Sequence, residues 1–164
     1  GGLVGVLVAL AMFANQRGRL IADVFDFTAP LPAIGFGAGR IGNFINGELW
    51  GKPTDVPWAV IVNGTARHAS QLYEALLEGL VLFAIIWWFT SKPRPRWAPS
   101  GLFLVCYGLF RFVVEFVRVP DSNRGYLLSG WVTMGQSLSL PMIAAGLWML
   151  AVAYRRGQPS GNYA

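Results

Sequence analysis

Charge is scarce in this 164-residue chain: 13% of residues are Asp, Glu, Lys or Arg, against roughly a quarter in an ordinary soluble domain. Hydrophobic residues make up 54%, and together these proportions exclude a soluble globular domain and point to one embedded in a bilayer. Cysteine is nearly absent. Cys106 alone rules out an intrachain disulfide framework and a Cys-rich metal site, and inside an apolar run it reads as a small packed residue, not a nucleophile. His68 is the single histidine, with no Ser-His-Asp or metal-ligand spacing around it. No metal and no cofactor are expected. The formal charge of +5 lies in short clusters beside apolar segments, which suits lipid headgroups and membrane topology; nucleic acid is not an expected partner.

The chain opens GGLVGVLVAL with no initiator Met and no basic leader, a poor match to a signal peptide. It reads as a piece of a longer protein whose first helix is cut near one end, since Gly1 to Ala14 falls short of the roughly 20 residues a span needs. Residues 1–164 are expected to form one membrane domain, an all-α polytopic transmembrane bundle of about five spanning segments. After NQRGR (Asn15 to Arg19) comes an irregular apolar segment from about Leu20 to Ala38, holding Asp23, Asp26, Pro30 and Pro32. Such irregularity fits burial among neighbouring helices. Residues 50–69 read as an outer loop with room for a short hairpin at Asn63-Gly64. Further spans are expected from about Ser70 to Thr90, Ser100 to Arg118 and Thr133 to Tyr154, with a second outer loop at 119–132.

NQRGR, KPRPR (Lys92 to Arg96) and YRR (Tyr154 to Arg156) hold seven of the thirteen Lys and Arg. The spacing of the apolar runs puts all three on one side, which the positive-inside rule makes cytoplasmic. The opposite, outer face then receives GRIGNFINGELWG (Gly39 to Gly51), together with Arg118, Asp121 and Arg124. Trp50, Trp58 and Trp131 suit the outer interface, and Trp87, Trp88 and Trp97 the inner one.

Ionisable groups at membrane depth are expensive and persist where they face a partner, a ligand or a wet cavity. Tyr107, Arg111, Glu115 and Arg118 follow spacings of four, four and three, one stripe of a helix. An intrahelical ion-pair ladder explains such a stripe without function, but two arginines against one glutamate leave a positive surplus that favours an anion. Arg40 has no acid near it in sequence before Glu48, and its planar fork suits a phosphate. Alone it reads as a snorkelling or topology charge; Asn43, Asn46 and the glycines beside it demand partners and permit close approach. In His68-Ala69-Ser70-Gln71-Leu72-Tyr73-Glu74, Ser70 reads as an N-cap and His68 as a helix-entry or headgroup residue. Asn63-Gly64-Thr65 matches a glycosylation sequon, a pattern common by chance.

These residues resemble the prolipoprotein diacylglyceryl transferases of the bacterial inner membrane. Gly39 to Gly51 fits that family's signature G-R-x-G-N-F-x-N-x-E-x-x-G at all eight fixed positions. HASQLYE, RFVVEFVRVPD and TMGQSLSLPM match further segments in the same order, so the resemblance covers nearly the whole chain.

The resemblance implies transfer of the diacylglyceryl group from phosphatidylglycerol to the lipobox cysteine thiol of a prolipoprotein signal peptide. A thioether forms and glycerol phosphate leaves. Carried over residue by residue, Arg40 and Arg111 are the expected catalytic pair. Asn43, Asn46, Glu48, Gly51, Tyr107, Glu115 and Arg118 are the expected substrate-binding residues, with His68, Ser70, Gln71 and Tyr73 from a secondary motif. The nucleophile belongs to the protein substrate. Two departures stand out: Ala69 replaces the usual Pro, and the chain opens at Gly1-Gly2 of a His-Gly-Gly segment whose histidine is the family's proposed base. The isolated piece is therefore expected to be inactive. The rival class is a transporter or channel for an anionic solute; it predicts polar groups in both membrane halves, and only Glu78, Asp23 and Asp26 answer to it. A binding-only scaffold gives no reason for so many arginines.

Overall fold

A computed structural model describes residues 1–119 and 133–157. Asp121, Arg124, Trp131 and all of the 119–132 loop except Val119 lie outside the described residues. The chain is mostly helical: α1 (Gly2–Gln16), α2 (Ile21–Thr28), α3 (Leu31–Ile45), strands β1 (Val60–Val62) and β2 (Thr65–Arg67), α4 (Ser70–Glu74), a π-helical segment (Ala75–Val81), α5 (Leu82–Thr90), α6 (Ala98–Val114) and α7 (Met134–Arg156).

The irregular segment at Leu20 to Ala38 resolves into two helices broken at Ala29-Pro30. Pro32 falls in the first turn of α3, where a missing N–H leaves no bond unmade. From there α3 runs on to Ile45, so the first seven residues of GRIGNFINGELWG are helical, a correction to the sequence reading that ended the apolar segment before them. Ser70–Thr90 is one uninterrupted 21-residue helix with the π segment at its centre.

Helix α6 begins where Asp26 of α2 meets it. The Asp26 carboxylate accepts from the backbone N–H groups of Trp97 at 2.6 Å and Ser100 at 3.1 Å, and from the Ser100 hydroxyl at 2.6 Å. An acid from a distant helix thus satisfies amides that a local cap would otherwise serve. Nearby, Asp23 pairs with Arg96 at 2.8 Å, and Asn15, Arg19, Arg96 and Trp97 line one cavity with Leu20, Ile21 and Ala22. NQRGR and KPRPR therefore meet at one end of the bundle. Helix α7 opens on a capping box between Thr133 and Gln136 and closes at Gly157 in the left-handed region.

Backbone proximity fixes the packing. A Cβ on Gly79 would stand 2.7 Å from Gly37 Cα, so α3 crosses the π segment with main chains in contact and no side chain between them. Helices α6 and α7 run antiparallel, with Gly101 against Gly146 and Gly108 against Ser139 and Ile143; small residues at such crossings are what apolar surroundings favour. Ala29, Ala33, Leu82 and Ile86 form the buried core, ringed by Phe83, Leu102, Phe103, Cys106, Tyr107 and Phe110. The outward faces are apolar as well: Trp87, Trp88, Leu147 and Trp148 are all exposed. Ser70–Thr90 and Met134–Arg156 are long and apolar enough to cross a membrane.

Strands β1 and β2 pair antiparallel, Val60 with Arg67 and Val62 with Thr65. Asn63 and Gly64 turn between them with φ of 50° and 79°, the left-handed pair of a two-residue hairpin turn. Bridges from Gly51 to Arg118 and from Pro53 to Arg67 tie this hairpin to the end of α6.

Candidate functional site

At the end of α6 away from Asp26, about 25 Å along a helix of this length, three arginines converge on Glu74. Arg40 Nε lies 2.5 Å from Glu74 Oε2, Arg111 Nη1 lies 3.4 Å from the same oxygen, and Arg118 Nε stands 3.7 Å from Oε1. Arg111 also reaches Glu115 at 3.1 Å and Glu78 at 3.9 Å. Glu74 and Glu78 are each only 1% exposed. The elements explain the meeting. Glu74 ends α4 and Glu78 lies one turn on, both facing α3 across the Gly37 and Gly79 contact, while Arg111 points in from α6.

Beside this cluster opens a cavity of about 270 Å³ lined by Gly35, Phe36, Gly39, Arg40, Asn43, Glu78 and Tyr107. Phe36 and Tyr107 pack ring to ring with centroids 5.2 Å apart. Gly35 and Gly39 leave the α3 side of the wall without side chains, so the polar groups facing the space come from Arg40, Asn43, Glu78 and Tyr107.

Of the residues singled out in the sequence, Arg40, Arg111, Glu115 and Arg118 gather around Glu74, and Asn43 and Tyr107 join them through the cavity. The stripe is not wholly helical. Helix α6 ends at Val114, leaving Glu115 at its cap and Arg118 in the bridge to Gly51. Asn46 and Glu48 follow α3 with exposed side chains; Glu48 contributes its backbone carbonyl, which accepts from Gln71 Nε2. Ser70 is not the N-cap. Ala69 occupies that place, and the buried Ser70 hydroxyl donates to Leu49 O at 3.0 Å. Ser70 and Gln71 thus pin the second half of the motif to α4.

His68 Nδ1 lies 3.2 Å from the Tyr73 hydroxyl, which accepts from Trp58 Nε1 at 2.8 Å; these three brace the loop beside the cluster. Gly51 is a junction. Its N–H donates to His68 O, its carbonyl accepts from Arg67 Nη1, and a Cβ there would stand 2.7 Å from Val117 O.

Sequence reasoning missed Glu74 and Glu78 as site residues, and with them the charge balance. The surplus inferred from two arginines and one glutamate is replaced, among the described residues, by three arginines and three glutamates in one cluster. A signal was present: two carboxylates four apart in an apolar span require partners, and Arg40 lacked one nearby in sequence.

A family model for prolipoprotein diacylglyceryl transferase matches residues 1–152. The chain belongs to this family. Similar relatives are named phosphatidylglycerol–prolipoprotein diacylglyceryl transferase: one from Ectopseudomonas mendocina is 56% identical over 98% of this chain and 62% of its own length. Another from Azotobacter vinelandii is 59% identical over 95% of the chain and 60% of its own, and one from Pseudomonas fluorescens is 57% identical over 100% and 63%. The chain spans about three fifths of the length of these curated relatives. Within this diacylglyceryl transferase family member, the match takes in both halves of the arginine cluster, Arg40 on one side and Arg111, Glu115 and Arg118 on the other.

Proposed function

We propose that this chain supplies the headgroup site of a bacterial inner-membrane transferase that moves a diacylglyceryl group from phosphatidylglycerol to the lipobox cysteine of a prolipoprotein signal peptide. The observation that carries this reading is the cavity walled by Arg40, Asn43, Glu78 and Tyr107 against an Arg111 that shares Glu74 with Arg40. The substrate thiolate attacks the glycerol carbon bearing the phosphate ester. A carbon–sulfur bond forms, the carbon–oxygen bond breaks, and glycerol phosphate departs with the electron pair. Charge grows on the phosphate oxygens as that bond lengthens, and guanidinium donors held in a water-poor site stabilise it without having to reorganise. Arg40 and Arg111 take this role. Asn43 and Tyr107 orient the headgroup, Glu74 and Glu115 hold the arginines in place, and the Ser70, Gln71 and Gly51 contacts fix the loop behind them.

The bilayer reading rests on the apolar outward faces and on the two helices long enough to span. About five spans form one membrane domain, with NQRGR, KPRPR and YRR cytoplasmic and the arginine cluster toward the outer face. An anion transporter is less well supported: Asp23 and Asp26, the candidates for lining a path at the basic end, are engaged by Arg96 and the start of α6, and Glu78 belongs to the arginine cluster.

The test is transfer of radiolabelled diacylglyceryl from phosphatidylglycerol to a lipobox peptide by the full-length protein. Arg40→Ala and Arg111→Ala are each expected to lower turnover about 100-fold or more, the scale of losing one oriented transition-state donor, with membrane insertion intact. Near-normal rates in either variant would return that arginine to a topological or ion-pair role.

A further inference from the structure

Three buried side-chain acceptors lack a hydrogen-bond donor among the described residues, Gln71 Oε1, Glu78 Oε1 and Glu115 Oε2, and of these Glu78 alone lines the cavity. Glu78 is 1% exposed, and its Oε1 receives no hydrogen bond among the described residues. Arg111 Nη1 stands 3.9 Å away, beyond hydrogen-bonding distance. A buried carboxylate oxygen in this condition forfeits its hydration with no hydrogen bond in return. Glu78 is also one of the residues that line the cavity, on the same wall space as Arg40, Asn43 and Tyr107. Its neighbours divide the chemistry: guanidinium and amide groups can donate to a phosphodiester, whereas a carboxylate can only accept. A ligand that satisfies all of them carries an anion and, next to it, a hydroxyl donor.

The geometry points to Glu78 as a specificity-determining residue that accepts a hydrogen bond from a headgroup hydroxyl of the lipid substrate, selecting a polyol phosphodiester over one without hydroxyls. This rests on the transferase reading above and deepens it. The ion pair of Glu78 with Arg111, at 3.9 Å, is longer than those that Arg40 and Arg111 make with Glu74 and that Arg111 makes with Glu115, and it leaves the hydrogen-bonding capacity of Oε1 unused.

The test compares two lipids in the full-length enzyme: phosphatidylglycerol and phosphatidylpropanol, the same phosphodiester with the headgroup hydroxyls removed. A hydrogen bond to a charged acceptor corresponds to a preference of about 10-fold to 100-fold in kcat/KM for phosphatidylglycerol. In Glu78→Ala that ratio is expected to collapse toward one, chiefly through a higher KM for phosphatidylglycerol, while Glu78→Gln, which keeps one carbonyl acceptor, retains part of it. Because each ratio is taken within one protein, partial misfolding cancels. Should both variants prove inert, the ratio of thermal stabilisation by the two lipids replaces the rate ratio, with the same expectation. An unchanged ratio in the variants, an equal fall on both lipids, or a wild-type ratio near one would overturn the assignment. A wild-type protein that transfers from neither lipid would sink the transferase reading itself and this inference with it.

Discussion

Glu74 organises the site at the scale of single residues. One carboxylate with almost no exposure meets Arg40, Arg111 and Arg118, side chains from two separate stretches of chain. Removing its charge takes a shared carboxylate from three guanidiniums at once, and breaking a buried pair in this way costs about 3–5 kcal/mol. Glu74→Gln is therefore expected to melt at lower temperature in detergent and to lose diacylglyceryl transfer by about 100-fold or more, against a smaller thermal penalty for Arg40→Ala, which leaves Glu74 its other two partners. The arginines were legible in the sequence because each is expensive in an apolar run. Glu74 was not, because the Ser70 beside it offered a capping explanation for the whole turn and because every partner lies far away along the chain. Ser70 itself was misread for a related reason: a serine at a helix start looks like a cap until the tertiary fold supplies Leu49 O as its acceptor.

Among the elements, the long helices announced themselves through apolar runs and the hairpin through Asn63-Gly64. The end of α6 did not. Nothing in RFVVEFVR breaks a helix; the chain leaves it because Lys52 N–H donates to Val117 O and Gly51 bridges Arg118, contacts with the first motif that no local pattern encodes. The π segment was equally hidden, although it lies where α3 and the Ser70–Thr90 helix touch. Gly79→Ala inserts a methyl 2.7 Å from Gly37 Cα, and overpacking of this kind costs about 1–3 kcal/mol. It is expected to separate α3 from α4, pull Arg40 away from Glu74, and lower both melting temperature and kcat. Asp26→Ala, at the far end of α6, is expected to lower stability by about 0.5–2 kcal/mol, the range for a lost cap, while kcat stays at the wild-type value. Equal losses of kcat in the two variants would deny the α3 crossing its special place.

Taken whole, the molecule has two unlike ends joined by α6: one basic, where Arg96, Asp23, Arg19 and Asn15 assemble, the other a nest of paired charges beside a cavity. In the proposed topology the first faces the cytoplasm. With Cys106 replaced by Ser in the full-length protein, a cysteine at Asn46 should react with a membrane-impermeant maleimide in intact spheroplasts, and one at Ser91 only after permeabilisation. The reverse pattern would invert the orientation. The matched charges of the cluster carry a further consequence. Among the described residues three guanidiniums face three carboxylates and project little net field beyond their own contacts, so an anionic lipid is not expected to be drawn in from a distance. Selection then happens on contact, after lateral diffusion in the bilayer. The apparent KM for phosphatidylglycerol in neutral host vesicles should accordingly vary by less than about twofold between low and high ionic strength, where a site that recruited substrate by long-range steering would weaken steeply.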